Sequence, residues 1–268
     1  MSQTKNPWRS LKSGLAYSFW TVSGAVSKSR RPRNATIPLV LDMAALPNFQ
    51  KVAVVGRGES AYLLENHPDF SLTILVNFSD SDLADEKFRR RVIASRSIVL
   101  LHNSMEISVS PKTASEMNLS AVVWIGFRPS AGNNRRRTTW RLNRLGRNVQ
   151  YMPRDPAGRT SVSGGGAGIT GVALASMMSN DVHTFGIDFH KTDYIPGSMG
   201  KVAADAKGPT LQSTVGPKRE RALLELASLN QDVSFTLHST INLQVTAPNV
   251  ASVVELRGRR EKFEPVSQ

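Results

Sequence analysis

Short apolar runs that alternate with helical segments constrain the fold of this chain more than any other feature. The run Lys51–Val55 is β-branched, apolar and ended by glycine, which is typical of a strand buried in a parallel sheet. Further strands are predicted at Leu72–Val76, Ser97–Leu101, Ala121–Phe127, Asn148–Met152, Val182–Phe185 and Val233–Leu237. Helices are predicted at Ser60–Glu65, Ser81–Ala94, Arg135–Leu145, Ile169–Met178 and Lys218–Leu229. The alternation predicts an α/β fold whose mostly parallel, doubly wound sheet is covered by helices on both faces.

The composition is that of one globular α/β domain. The chain has 268 residues, of which 40% are hydrophobic and 21% are charged. We expect residues 36–250 to form this domain, with a lid-like loop over about 190–217, where Gly and Pro recur without periodicity. The chain has no cysteine, which excludes disulfides, thiolate metal sites and cysteine nucleophiles. The lack of cysteine also fits a reducing compartment, so a cytoplasmic location is expected.

The net charge of +13 predicts an anionic partner. Basic residues cluster in the N-terminal tail 1–35, at Arg135–Arg147 and in the C-terminal tail 251–268. The semi-apolar stretch Ser13–Val26 is too short to span a bilayer, which needs about 20 apolar residues. Its basic flanks suit peripheral contact with the inner face of an anionic membrane; a frayed tail or a packed helix is the alternative. Nucleic acid is a weaker alternative, because only Trp140 interrupts the arginine cluster with an aromatic ring.

Polar residues follow the predicted strands where their carboxyl ends meet. Asn77, Asn103 and Asp188 each come at or just after a strand end, and Ser163 precedes a predicted helix. Ligands of parallel α/β sheets bind at this edge. We therefore expect these side chains to surround a ligand.

Two glycine-rich turns also lie at this edge and open helices. The first is Gly56-Arg57-Gly58-Glu59-Ser60, and the second is Gly164–Gly168. Such turns let an anion approach the backbone and the positive end of a helix. The first turn is not a full dinucleotide fingerprint, since residue 61 is Ala and the second strand ends in Asn77 rather than an acid. For the second turn, tight helix–strand packing is the structural alternative.

The order of these motifs resembles the sialyltransferases. The similarity is greater to the bacterial lipooligosaccharide enzymes than to the animal-type family, and it covers about residues 50–230. The segments that carry it are Lys51–Ser60, Val76-Asn77, Asn103-Ser104, Gly168 with the following helix, and Gly186–Phe189.

The resemblance implies a GT-A-like, Rossmann-type glycosyltransferase that inverts at the anomeric carbon and needs no metal or other cofactor. It would move a sialic-acid-like (ulosonic) sugar from a CMP donor to a glycan or glycolipid acceptor. The residues implied or predicted to hold the donor are Gly56, Arg57, Gly58, Ser60, Asn77, Asn103, Ser163, Gly164, Gly165, Gly166 and Gly168. Arg57 departs from the family, which commonly has Asn there.

The catalytic residues are less closely matched. The bacterial family has two tyrosines that contact the departing phosphate, where this chain has His190 and, nearby, Tyr194. The family's histidine base precedes the late helix, but Ser213–Pro217 contains no histidine. A sugar hydroxyl needs a base at neutral pH, so His190 is the leading candidate as base or acid. Other candidate bases are Asp188, Asp193 and Asp205.

The sequence leaves two alternative functions open and gives no sign of a catalytic metal. The protein is alternatively a catalytically degenerate homologue, or another nucleotide-binding enzyme such as an NAD-linked oxidoreductase or a pyrophosphotransferase. No catalytic metal is expected, because the nearest acidic pair, in Ser79–Asp82, resembles a helix cap. His67, His183 and His238 are predicted to be structural. The oligomeric state is not predicted.

Overall fold

The predicted α/β fold is confirmed by a computed structural model, which describes residues 39–40, 46–67, 69–102, 109–126, 149–153, 166–192, 195 and 215–255. The strands are β1 (Leu39–Val40), β2 (Val52–Val55), β3 (Leu72–Val76), β4 (Ser97–His102), β5 (Ala121–Gly126), β6 (Val149–Pro153), β7 (Asp181–Phe185), β8 (Ser234–Ser239) and β9 (Val250–Val254). The helices are a 3₁₀ helix (Glu59–Asn66), α1 (Glu86–Ile93), α2 (Pro111–Glu116), α3 (Gly166–Ser176) and α4 (Gly216–Leu229).

All neighbouring strands of the sheet are parallel, and their order is β1-β6-β5-β4-β3-β2-β7-β8-β9. Val55 of β2 is paired with Leu75 of β3 on one side and with Phe185 of β7 on the other. The chain therefore runs outward from β2 in one direction and, from β7 on, in the other. The junction of β2 and β7 is therefore a topological switch point. Sheets of this kind bind their ligands in the crevice beyond the carboxyl ends of the strands at such a point.

Alternate residues of β2 belong to two separate hydrophobic cores, one on each face of the sheet. Val52 and Val54 pack on the face that carries α3 and α4, and Ala53 and Val55 pack on the face of the 3₁₀ helix. Because both faces are covered, the strand is apolar throughout, as its sequence predicted. Helix α3 lies very close to the sheet: a Cβ atom on Gly171 would be 3.0 Å from a methyl carbon of Val54. Its small residues allow this approach, which fixes the helix start beside the switch point.

Some predicted boundaries were wrong. Helix α1 begins at Glu86 rather than Ser81, because Asp85 is its cap and accepts hydrogen bonds from the backbone N–H groups of Lys87 and Phe88. Asp82 instead accepts a hydrogen bond from the backbone N–H of Ser79 at 2.7 Å, so Ser79–Asp82 is a turn and not the helix cap.

The sheet also has more strands than the sequence pattern predicted. The predicted domain end at residue 250 falls inside β9, and α2, β1 and β9 were not predicted. The N-terminal tail, the predicted helix Arg135–Leu145, residues 196–214 of the predicted lid and residues 256–268 lie outside the described residues. Of the helices in the described part of the chain, none combines the length and apolar content that a bilayer-spanning segment requires.

Candidate functional site

A cleft with a cavity volume of about 170 Å³, open to solvent, lies at the switch point between β2 and β7. It is lined by Gly56, Arg57, Gly58, Val76, Asn77, Gly166, Ala167, Gly168, Ile169, Gly186, Ile187, Asp188, Phe189, His190, Thr192 and Arg219. Most of the described residues that the sequence singled out therefore share one cleft.

The floor of the cleft is formed by two turns that cross in close contact. The backbone N–H of Gly56 donates to the Phe185 carbonyl at 2.7 Å, and that of Gly58 donates to the Gly186 carbonyl at 2.9 Å. A Cβ atom on Gly56 would be 2.3 Å from the Gly186 oxygen, and Gly186 itself has a φ of +65°. The glycines are thus required by the packing of one turn on the other, whatever ligand lies above them.

Ser60 does not reach the cleft, which corrects its predicted role as a ligand contact. Its side chain is fully buried, donates to the Asp188 carboxylate and accepts a hydrogen bond from the backbone N–H of Gly186 at 2.8 Å. Ser60 is therefore a positioning residue that ties the β2 turn to the β7 turn.

Asp188 has a similar role at the edge of the cleft. Its carboxylate is 4% exposed and accepts hydrogen bonds from Ser60, from Thr192 Oγ1 at 2.7 Å and from Ser239 Oγ at 3.2 Å. These donors come from the β2 turn, the loop after β7 and the end of β8. Because its oxygens are already occupied, this geometry favours a positioning role for Asp188 over the predicted role as a base.

His190 follows this carboxylate in a tight turn. Phe189 and His190 have φ values of 50° and 63°, a left-handed conformation that is uncommon for residues with side chains and is concentrated at functional sites. Burial of the imidazole, with a smaller contribution from the Arg219 charge, lowers the pKa of His190 to about 4. The ring is therefore neutral at neutral pH and presents a proton-accepting nitrogen.

Arg219 is a charged residue of the cleft that was not predicted from the sequence. It lies in the first turn of α4 and reaches the start of α3, where its Nη2 atom is 3.1 Å from the Cβ position of Gly166. A signal was available: Lys218 and Arg219 are cations in a first helical turn, where the helix dipole disfavours positive charge. Two cations at this end of a helix favour an anionic ligand beside them.

The remaining lining residues complete an anion-binding environment. Asn77 ends β3 with a φ of 58°, and its backbone N–H donates to the Leu101 carbonyl at 2.8 Å. Arg57 and Arg219 line the cleft together with the first turn of α3. Among the described lining residues, Asp188 is the sole carboxylate, and its oxygens are bound within the protein. The cleft thus suits a phosphorylated ligand better than a hard metal ion.

Several predicted site residues cannot be placed. Asn103, Ser163, Gly164, Gly165, Tyr194, Asp193 and Asp205 lie outside the described residues. Comparison of the sequence with protein-family models and with curated proteins found no match.

Proposed function

We propose that the protein is an inverting, metal-independent glycosyltransferase that moves a sialic-acid-like (ulosonic) sugar from a CMP donor to a glycan or glycolipid. One observation carries this proposal: Arg57, Asn77, Arg219 and the start of α3 line a single cleft at the switch point together with His190. The ordered motifs that resemble the sialyltransferases give the donor and the reaction.

The proposed donor orientation follows from the charges of the cleft. The guanidinium of Arg219 and the first N–H groups of α3 bind the phosphate of CMP, and Arg57 adds a second positive charge. Asn77 binds the cytidine portion, because an amide can both donate to and accept from a nucleoside. An acid at the end of β3, which would favour the ribose of NAD, is replaced by Asn77, so the oxidoreductase alternative has less support.

The proposed reaction is a single displacement. The acceptor hydroxyl attacks the anomeric carbon on the face opposite CMP, a C–O bond forms, and the bond between that carbon and the phosphate oxygen breaks. CMP leaves with the electron pair, which the Arg219 charge stabilises. The hydroxyl proton passes to His190, whose neutral ring accepts it. Peripheral contact of the basic tails with an anionic membrane remains part of the proposal, supported by the net charge of +13.

An activity screen tests this proposal. The full chain is incubated with several CMP-ulosonic acids and a mixture of glycan and glycolipid acceptors, and release of CMP is measured. We expect acceptor-dependent release from at least one donor and its loss in Arg219→Met, which keeps an unbranched apolar stem but removes the guanidinium and its charge. Binding of CMP without turnover would indicate the degenerate homologue, and neither binding nor turnover would contradict the proposal.

A further inference from the structure

A second cluster of titratable side chains lies away from the cleft, on the face of β7, β8 and β9 opposite α3 and α4. His67 Nε2 is 2.8 and 2.9 Å from the two carboxylate oxygens of Glu255, and His238 Nδ1 contacts the same carboxylate. His238 Nε2 is 2.8 Å from His183 Nδ1, and His183 Nε2 is 2.9 Å from Asp181 Oδ1. The side chains thus form one continuous series of hydrogen bonds, from His67 through Glu255, His238 and His183 to Asp181. The proposed transfer reaction does not use it.

Neutral His183 and His238 have too few N–H groups to donate all the hydrogen bonds of this series. The contacts of His183 with Asp181, of His183 with His238, and of His238 with Glu255 each require one N–H. Two neutral imidazoles carry only one N–H apiece. One of the contacts is therefore left without a proton, unless a ring or a carboxyl group takes up an extra one or a cation replaces it.

A cation between His238 and Glu255 resolves the count. His67, His238 and Glu255 each offer one ligand atom, and these three atoms lie within 4.8 Å of one another. The ring nitrogens that contact the Glu255 carboxylate are His67 Nε2 and His238 Nδ1. With these atoms bound to a metal, His238 Nε2–H donates to His183, and His183 Nε2–H donates to Asp181. Metal-binding histidines commonly donate their second N–H in this way to a partner that fixes the ring.

We propose that His67, His238 and Glu255 bind a divalent transition-metal ion, zinc being the best match. Two imidazole nitrogens and one carboxylate are a common ligand set for zinc, whereas Mg²⁺ and Ca²⁺ prefer oxygen ligands alone. The buried His238 side chain is 4% exposed, while His67 and Glu255 are 25% and 17% exposed. The two outer ligands can therefore adjust, and water can complete the coordination from the solvent side.

The bound ion would act as a structural link. His67 follows the 3₁₀ helix and Glu255 follows β9, so the ion joins parts of the chain that are 188 residues apart. The His238 ring stacks on Phe185, with centroids 4.5 Å apart and an angle of 6° between the planes. Phe185 precedes Gly186 of the cleft, and Ser239, which follows His238, donates to Asp188. The ion would thus stiffen the two strands behind the cleft.

Metal titration of the chelator-treated full chain tests the site. All five histidines lie in the described residues and the chain has no cysteine, so a few variants cover every imidazole. We expect one Zn²⁺ per chain, a higher unfolding temperature with Zn²⁺ but not with Mg²⁺, and visible absorption bands from bound Co²⁺.

Variants separate this site from adventitious binding. His67→Gln and Glu255→Gln, whose partly exposed side chains can change without unfolding the sheet, should abolish the stoichiometric binding. His183→Leu should weaken it by about 10–100-fold through the lost partner of His238. His190→Gln, in the cleft, is the matched control and should bind zinc as the wild type does. Absence of stoichiometric binding, or binding that survives both His67→Gln and Glu255→Gln in folded protein, would overturn the proposal.

Discussion

Gly56→Ala is expected to destabilise the protein strongly, because the added methyl group would overlap the backbone of the facing turn. The new Cβ atom would be 2.3 Å from the Gly186 oxygen and 3.0 Å from its carbonyl carbon. The Gly186 carbonyl accepts a hydrogen bond from the Gly58 N–H at 2.9 Å, and the preceding Phe185 carbonyl accepts one from the Gly56 N–H at 2.7 Å, so the two turns cannot easily move apart. Overpacking a core typically costs about 1–3 kcal/mol, and we expect a loss at or above the upper end of that range.

Gly168→Ala is the matched control for this prediction. Its Cβ atom would be 3.7 Å from Ile187 Cδ1, an ordinary contact, and Ala is a better helix former than Gly. Chemical denaturation followed by circular dichroism should show Gly168→Ala at least as stable as the wild type. A Gly56→Ala protein of wild-type stability would show that the two turns do not pack as described.

His190→Ala is expected to have the largest effect on catalysis. A general base contributes about 10²–10⁴-fold to turnover, and we expect a loss of that order under the proposed mechanism. The pKa of His190 is lowered to about 4 by burial and by Arg219, so the ring of the free enzyme is neutral above that pH. Activity should therefore fall as the pH drops through this pKa and the ring becomes protonated.

The lowered pKa of His190 also affects folding stability. Protonation of this imidazole is easier in the unfolded chain, so the free energy of unfolding should decline as the pH falls from about 6.5 to about 4.

Donor binding should move this titration. A bound phosphate offsets the charge of Arg219, which raises the pKa of His190. The acid limb of kcat should then lie at higher pH than the acid limb of kcat/KM, since the first reports the complex and the second the free enzyme. The control is CMP affinity, which His190→Gln should change much less than it changes turnover. Full turnover in His190→Gln with an unchanged pH profile would exclude His190 as the base.

The sequence could predict the sheet and much of the cleft because these depend on local patterns. A buried parallel strand must be apolar throughout, and the residues that follow such strands converge at one edge. These patterns were enough to predict that Gly56, Asn77, Gly168 and Asp188 lie at one edge of the sheet. Boundaries were less predictable: Asp82 and Asp85 are both plausible caps, and only the hydrogen bonds distinguish them.

The rest depended on contacts between residues far apart in the chain. Ser60 and Asp188 are separated by 128 residues, so their hydrogen bond, and with it their positioning roles, has no signature in either motif. Arg219 reaches the cleft only because α4 packs beside α3. His67 and His238 were predicted to be separate structural residues, and Glu255 was not singled out. The three share no spacing, and they meet only because the end of the 3₁₀ helix lies beside β8 and the end of β9.

Calorimetric titration with CMP tests the central claim most directly, namely that the cleft between β2 and β7 holds a cytidine nucleotide. We expect one CMP to bind per chain, with binding weakened in both Asn77→Ala and Arg219→Met, and we expect no binding of NAD. The two variants probe opposite ends of the ligand, so loss in both would place it across the cleft. No binding at millimolar CMP, or equal binding by the wild type and both variants, would contradict the account.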